Sequence, residues 1–137
     1  MTHLTRAAAA VSALLAVAAL LTAGPARAAT REARADTWLY LTVTQGTTRA
    51  GVPRGTLLRC DPPRRHPRAA EACAELAAAG GDIGHIPAED VFCPMIYAPV
   101  TTRALGRWNG RTVGFRETYS SACVMRARTR HVFALDG

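Results

Sequence analysis

The residues of this chain whose types and spacing could do chemistry are four cysteines, a few scattered histidines and one crowded apolar segment. Cys60, Cys73, Cys93 and Cys123 contain no C-x-x-C pair, the spacing that zinc sites favour, so no metal centre is expected. In an oxidising compartment an even count reads instead as two disulfides. Three pairings are open, and joining Cys60 to Cys73 and Cys93 to Cys123 closes two independent loops without crossing them. His66, His85 and His131 lie far apart, and the chain has no G-x-S-x-G, no H-E-x-x-H and no local paired-carboxylate motif. Glu89 and Asp90 are adjacent, but sequence neighbours point in different directions, so they read as a cap or a solvated loop. Nothing here argues for an enzyme: no catalytic residue is assigned and no cofactor is expected.

The apolar segment is Val91-Phe92-Cys93-Pro94-Met95-Ile96-Tyr97-Ala98-Pro99. Pro94 fixes its own φ and pushes Cys93 toward extended backbone, and Pro99 does the same to Ala98. Met95 and Ile96 are thus held between two brakes, and a Cys93–Cys123 bond would add a covalent tether. A rigid extended segment suits a substrate-like protease inhibitor, whose loop enters a cleft with its conformational entropy already lost. The same tethering would hold the amine product in place after attack, favouring religation over release. A competing reading makes Met95 and Ile96 core residues of an ordinary strand.

The first 28 residues are set apart by a targeting pattern. Arg6 supplies a charged start, an apolar run covers Ala7 to Thr22, and Ala26-Arg27-Ala28 is a small-x-small cleavage site. Residues 1–28 read as a secretory signal peptide, which makes the product extracellular with no membrane attachment after cleavage; the run is too short for a good membrane span. A second such site at Ala33-Arg34-Ala35 leaves the mature start open. Residues 29–36 form a loose amino-terminal arm and residues 37–137 the domain.

A length of 137 residues allows one compact domain and excludes a large multidomain enzyme. All 17 basic residues are arginine, a pattern of codon bias that makes their raw number weak evidence. Cleavage removes Arg6 and Arg27 but none of the 10 acidic residues, leaving a mature charge of about +5. The remaining arginines are scattered with few aromatics among them, unlike a stacking platform, so no nucleic-acid partner is expected. Arg126, Arg128 and Arg130 are spaced by two, as on one face of a solvated edge strand.

Around the apolar segment the pattern is α+β. Leu39, Leu41 and Val43 alternate with Tyr40, Thr42 and Thr44 as in a half-buried strand, and Thr56 to Cys60 reads as a second, stopped by Asp61-Pro62-Pro63. Pro67 and Gly80-Gly81 bracket a helix whose buried stripe is Ala69, Ala72, Cys73, Leu76 and Ala77, with Glu71 and Glu75 on the opposite face. Asn109-Gly110 joins Thr101–Trp108 to Thr112–Ser120 in an antiparallel hairpin. A short helical turn around Ser121 to Arg126 and a last strand at His131 to Leu135 complete about five strands, one longer helix and one short one.

These residues carry a resemblance. Ala69-Ala70-Glu71-Ala72-Cys73-Ala74-Glu75-Leu76, Gly80-Gly81-Asp82, Cys93-Pro94-Met95-Ile96-Tyr97, the Trp108 to Gly110 turn and Val132-Phe133-Ala134 are similar to the Streptomyces subtilisin inhibitor family, across essentially the mature domain. The resemblance implies a secreted serine protease inhibitor with a five-stranded antiparallel sheet, two helices, and a homodimer formed through the sheet. It implies the disulfides Cys60–Cys73 and Cys93–Cys123. It places the reactive bond at Met95-Ile96, with Met95 filling the primary pocket, Phe92, Cys93 and Pro94 leading into the cleft, and Tyr97 following. Where relatives often carry an asparagine supporting the loop and an aspartate after the loop tyrosine, this chain has Ser121 and Ala98.

Uncharged Met95 suits an apolar pocket of the subtilisin or chymotrypsin kind and would leave the aspartate of a trypsin pocket unpaired. Subtilisin-like targets come first, because Phe92 could fill a further apolar pocket. Two other functions fit the same composition: a secreted cationic protein binding anionic envelope polymers, and an inhibitor of a metalloprotease through another surface.

Overall fold

A computed structural model describes residues 37–47 and 51–136. The signal segment at 1–28 and the arm at 29–36 lie outside the described residues. Five strands, β1 (Trp38–Gln45), β2 (Arg54–Cys60), β3 (Pro63–Arg64), β4 (Val100–Trp108) and β5 (Arg111–Tyr119), form one antiparallel sheet in the order β3-β2-β1-β4-β5. Among the described residues two helices, α1 (Ala69–Ala78) and α2 (Ala122–Thr129), and a 3-10 turn (Ile83–His85) complete the fold. No helix among the described residues is long and apolar enough to cross a membrane.

The alternation in β1 sets the two faces of the sheet. Leu39, Leu41 and Val43 are buried and cluster with Leu58, Val100 and Ala104 from neighbouring strands, with Ala72, Cys73 and Leu76 of α1, and with Met125, Val132 and Phe133. On the outer face Tyr40 and Leu105 are exposed. The β4–β5 turn has positive φ at both Asn109 (48°) and Gly110 (79°), as a two-residue type I′ hairpin requires. The Asn109 amide donates to the Thr37 hydroxyl at 3.1 Å, which ties the hairpin tip to the start of β1.

Helix α1 ends where Gly80 (φ 64°) and Gly81 (φ 84°) turn the chain, and the Gly81 amide donates back to the Leu76 carbonyl at 2.7 Å. A side chain at Gly81 would collide with the Trp108 indole, so this glycine serves close packing as well as the turn. Cys73 faces inward and bonds Cys60. His66 is buried before the helix. Its Nδ1 accepts the Arg68 amide at 2.9 Å, which leaves Nε2–H to donate to the Val132 carbonyl at 3.1 Å. Burial lowers the His66 pKa and favours this neutral form, although the bond to Val132 opposes the shift.

Four details differ from the sequence expectation. His131 to Leu135 is not a strand: the Val132, Ala134 and Leu135 amides bond to Thr129, His131 and Phe133 within turns, although Val132 and Phe133 are buried as expected. The fifth strand is instead the two-residue β3, a sheet-edge position where Pro63 is tolerated. Arg126 and Arg128 lie in the last turn of α2, which is longer than the expected turn, and Arg130 caps it, so these three do not line a strand. In α1, Ala77 is exposed, while Glu75 is largely covered by the chain beyond α2 and holds the His131 amide at 2.9 Å.

Candidate functional site

Between the buried side chains of Ile86 and Val100 the backbone forms no helix or strand, and every residue from Pro87 to Ala98 except Cys93 is exposed. The prolines and the lack of ladder partners explain this: Pro87, Pro94 and Pro99 supply no amide hydrogen. Met95 is 101% exposed and Phe92 92%, with Ile96 and Tyr97 also well exposed. Met95 and Ile96 are therefore not core residues of a strand. Four large apolar side chains in one segment form a patch that marks a contact surface.

The segment bends at its tip. The Ile96 amide donates to the Pro94 carbonyl at 2.8 Å, a three-residue turn centred on Met95 that thrusts its side chain outward. Both limbs leading to this turn are anchored. On the entry side Cys93 is bonded to Cys123 in α2, the Glu89 amide donates to the Ala127 carbonyl at 2.8 Å, and the Glu89 carboxylate lies 3.2 Å from Arg130. On the exit side the Ala98 amide donates to the Ser120 carbonyl at 3.0 Å, and the Pro99 carbonyl accepts the Gly46 amide at 2.7 Å. The expected disulfides, Cys60–Cys73 and Cys93–Cys123, are both present.

The structure thus gathers Phe92, Cys93, Pro94, Met95, Ile96 and Tyr97 on one tethered loop. The histidines stay apart from it and from any nucleophile. His85 pairs with Asp82 at 2.8 Å, His131 with Glu75 at 2.6 Å, and among the described residues none bonds a serine, threonine or cysteine side chain. The His85 hydrogen bond also holds the Asp82 carboxyl below its ordinary range, helped by the Gly84 amide that Asp82 caps. Among the described residues no group of three or more metal-ligating side chains comes together. Ser121 caps α2, its hydroxyl accepting the Val124 amide at 3.3 Å, and the neighbouring Ser120 carbonyl holds the loop.

The sheet thus presents a doubly tethered, exposed apolar loop, a surface suited to contact with another protein. Residues 35–121 match the family described as subtilisin inhibitor-like, and the chain belongs to that family. A relative from Streptomyces avermitilis is 54% identical over 125 residues, covering 90% of this chain and 84% of its own. The subtilisin inhibitor of Streptomyces albogriseolus is 43% identical over 101 residues, 70% of each chain. Among solved structures, Streptomyces caespitosus sermetstatin, crystallised in complex with Bacillus licheniformis subtilisin, is similar with a TM-score of 0.59 and 34% identity. That likeness covers 72% of this chain and 97% of sermetstatin. The relatives bear the names of inhibitors, subtilisin inhibitor and subtilase-type protease inhibitor among them.

Sequence reasoning missed the non-disulfide anchors of the loop. Those of Ala98, Pro99 and the Glu89 amide are backbone hydrogen bonds to carbonyl and amide groups that every residue carries, so no side-chain pattern announces them. The Glu89–Arg130 ion pair did have a signal, the acidic pair Glu89-Asp90 at the foot of the loop, but its partner lies far along the chain.

Proposed function

We propose that this protein is a secreted inhibitor of subtilisin-like serine proteases, acting through a reactive bond between Met95 and Ile96. The observation that carries the reading is the full exposure of Met95 at a turn whose two limbs are separately tethered. Met95 enters the primary pocket of the protease, Phe92 occupies a further apolar pocket, Cys93 and Pro94 lie between them, and Tyr97 contacts the far side of the cleft. The protease serine attacks the Met95 carbonyl and displaces the Ile96 amine, as in ordinary peptide cleavage. The amine stays beside the acyl group because the exit limb is fastened at Ala98 and Pro99, while the disulfide at Cys93 holds the acyl side. Reversal of the cut then competes with hydrolysis, and little entropy is lost when the preformed loop docks. Chymotrypsin-like proteases with an apolar pocket form a second target class. The outer sheet face, with Tyr40 and Leu105 exposed, is the surface for a homodimer.

The test is a titration of active-site-quantified subtilisin, chymotrypsin and trypsin with the oxidised protein spanning residues 29–137, followed by recovery of the inhibitor. Stoichiometric inhibition of subtilisin with one slow cut at Met95-Ile96 is expected. Rapid degradation, or inhibition of none of the three, refutes the reading. Inhibition that falls steeply with salt would point to arginine-driven binding instead.

A further inference from the structure

Arg130 stands where glycine would be expected. It follows α2 with φ 51° and ψ −120°, a backbone region that strains any residue with a Cβ. Such strain persists only where the surroundings hold it, and here the side chain shows what holds it. Its Nε donates to Glu75 Oε1 at 3.4 Å, and its Nη2 lies 3.2 Å from Glu89 Oε1. One guanidinium therefore spans two carboxylates from different parts of the fold, a geometry suited to its planar fork.

Glu75 is a firm post for this bridge. Its side chain is only 15% exposed, it accepts the His131 amide at 2.9 Å, and it lies 2.6 Å from His131 Nδ1. It also stands two residues after Cys73, so α1 at this point is stapled to the sheet by the Cys60–Cys73 bond. Glu89, at the other end, belongs to the loop's entry limb. From Pro87 to Phe92 that limb is exposed, and among the described residues its backbone hydrogen bond and its ion pair are both made at Glu89.

We propose that Arg130 is a positioning residue for inhibition: with Glu75 and Glu89 it clamps the entry limb of the loop to the disulfide-stapled helix. The proposal rests on Met95-Ile96 being the reactive bond. Cys93 alone fixes one point of the limb, and a segment held at one point can still pivot. A second fixed point at Glu89 removes that freedom, so the Met95 acyl group stays aligned for religation.

Arg130→Gly tests this cleanly, because glycine accepts the backbone conformation without strain and the fold is retained while the bridge is lost. Arg130→Gly should raise the rate of cutting at Met95-Ile96 in the subtilisin complex about fivefold, as expected for loss of a partly exposed, two-carboxylate bridge. Arg130→Lys should fall between the two, since a point charge cannot fork to both carboxylates, and adding Glu89→Gln to Arg130→Gly should change little more. Higher salt should narrow the gap between wild type and Arg130→Gly. The second readout is hydrogen exchange at the Glu89 amide, which should quicken in Arg130→Gly whether or not protease is present. Equal cutting rates in wild type and Arg130→Gly overturn the proposal, even if exchange quickens. A wild-type protein cut elsewhere, or not inhibitory, refutes the reactive-bond reading separately; unchanged exchange at Glu89 then overturns the clamp on its own.

Discussion

Replacing Met95 by alanine isolates what the tip of the loop contributes to binding. Met95 is 101% exposed, so its whole side chain is available to pass from water into a protease pocket. Full burial of a methionine side chain stabilises by about 1.5–3 kcal/mol, of which an alanine methyl retains roughly one methylene's share, about 0.8 kcal/mol. The net loss of about 1–2 kcal/mol corresponds to a Ki roughly 5- to 30-fold weaker. The free protein should hardly notice, because a side chain in open solvent leaves no cavity when shortened, and its unfolding free energy should stay within about 0.5 kcal/mol of wild type. Two assays on the same preparations decide it: inhibition of active-site-quantified subtilisin against a small chromogenic substrate, and urea unfolding of the inhibitor alone. An unchanged Ki would remove Met95 from the primary pocket. A weaker Ki matched by an equal loss of stability would show that Met95 supports the fold, contrary to its exposure.

Other consequences separate loop from core in the same way. Met95→Lys should gain inhibition of trypsin by pairing with the acidic residue of that pocket, and unchanged selectivity among subtilisin, chymotrypsin and trypsin would contradict the assignment of Met95. Replacing Cys93 and Cys123 together by serine opens a loop of sequence separation 30. By the loop-entropy model that lowers stability by about 3.5 kcal/mol, and recovered inhibitor should now be cut at Met95-Ile96 and degraded. Leu41→Ala, at a fully buried position of β1, should destabilise by about 2–5 kcal/mol in urea while leaving Ki unchanged wherever the protein remains folded. Burial lowers the pKa of His66, so the folded state binds fewer protons at this site than the unfolded chain. Its contribution to stability is complete above the unfolded value of 6.5 and is lost as pH falls below it. Thermal unfolding at pH 5 and pH 8 should show a smaller difference in His66→Gln than in wild type.

Much of this fold was legible because local and global preferences agree. The alternation from Leu39 to Val43, Asn109-Gly110 and Gly80-Gly81 each demand in sequence what the chain does in space. The loop was legible for the opposite reason: a run with the composition of a strand is interrupted at Pro94 and Pro99, and the structure leaves Met95 and Ile96 in solvent. The misreadings come from partners that local pattern cannot see. Val132 and Phe133 have strand-forming side chains and are buried, but the amides around them close turns, so composition identified burial and missed backbone pairing. Strand β3 has two residues and hence no periodicity to read. Glu75 lies off the stripe formed by Ala72, Cys73 and Leu76, which by helix period alone puts it in water, until the chain after α2 folds over it.

Under the proposed mechanism, the arrangement of anchors is what lets one loop be exposed and still resist cutting. The acyl side of Met95-Ile96 is fastened through Cys93 to Cys123, and the amine side through Ala98 to the Ser120 carbonyl. Those two anchor points are three residues apart in sequence, at the end of β5 and the start of α2, where Ser121 caps the helix and Met125 enters the core. A cut at Met95-Ile96 therefore frees two ends whose roots remain on one short, capped segment, and separating them requires that segment to move. Ser121→Ala would test the coupling. Loss of a cap costs about 1 kcal/mol. If the junction governs retention of the cut ends, the variant should be hydrolysed faster in the protease complex than a core variant of equal stability. Hydrolysis that tracks global stability alone would refute the idea that the junction holds the loop.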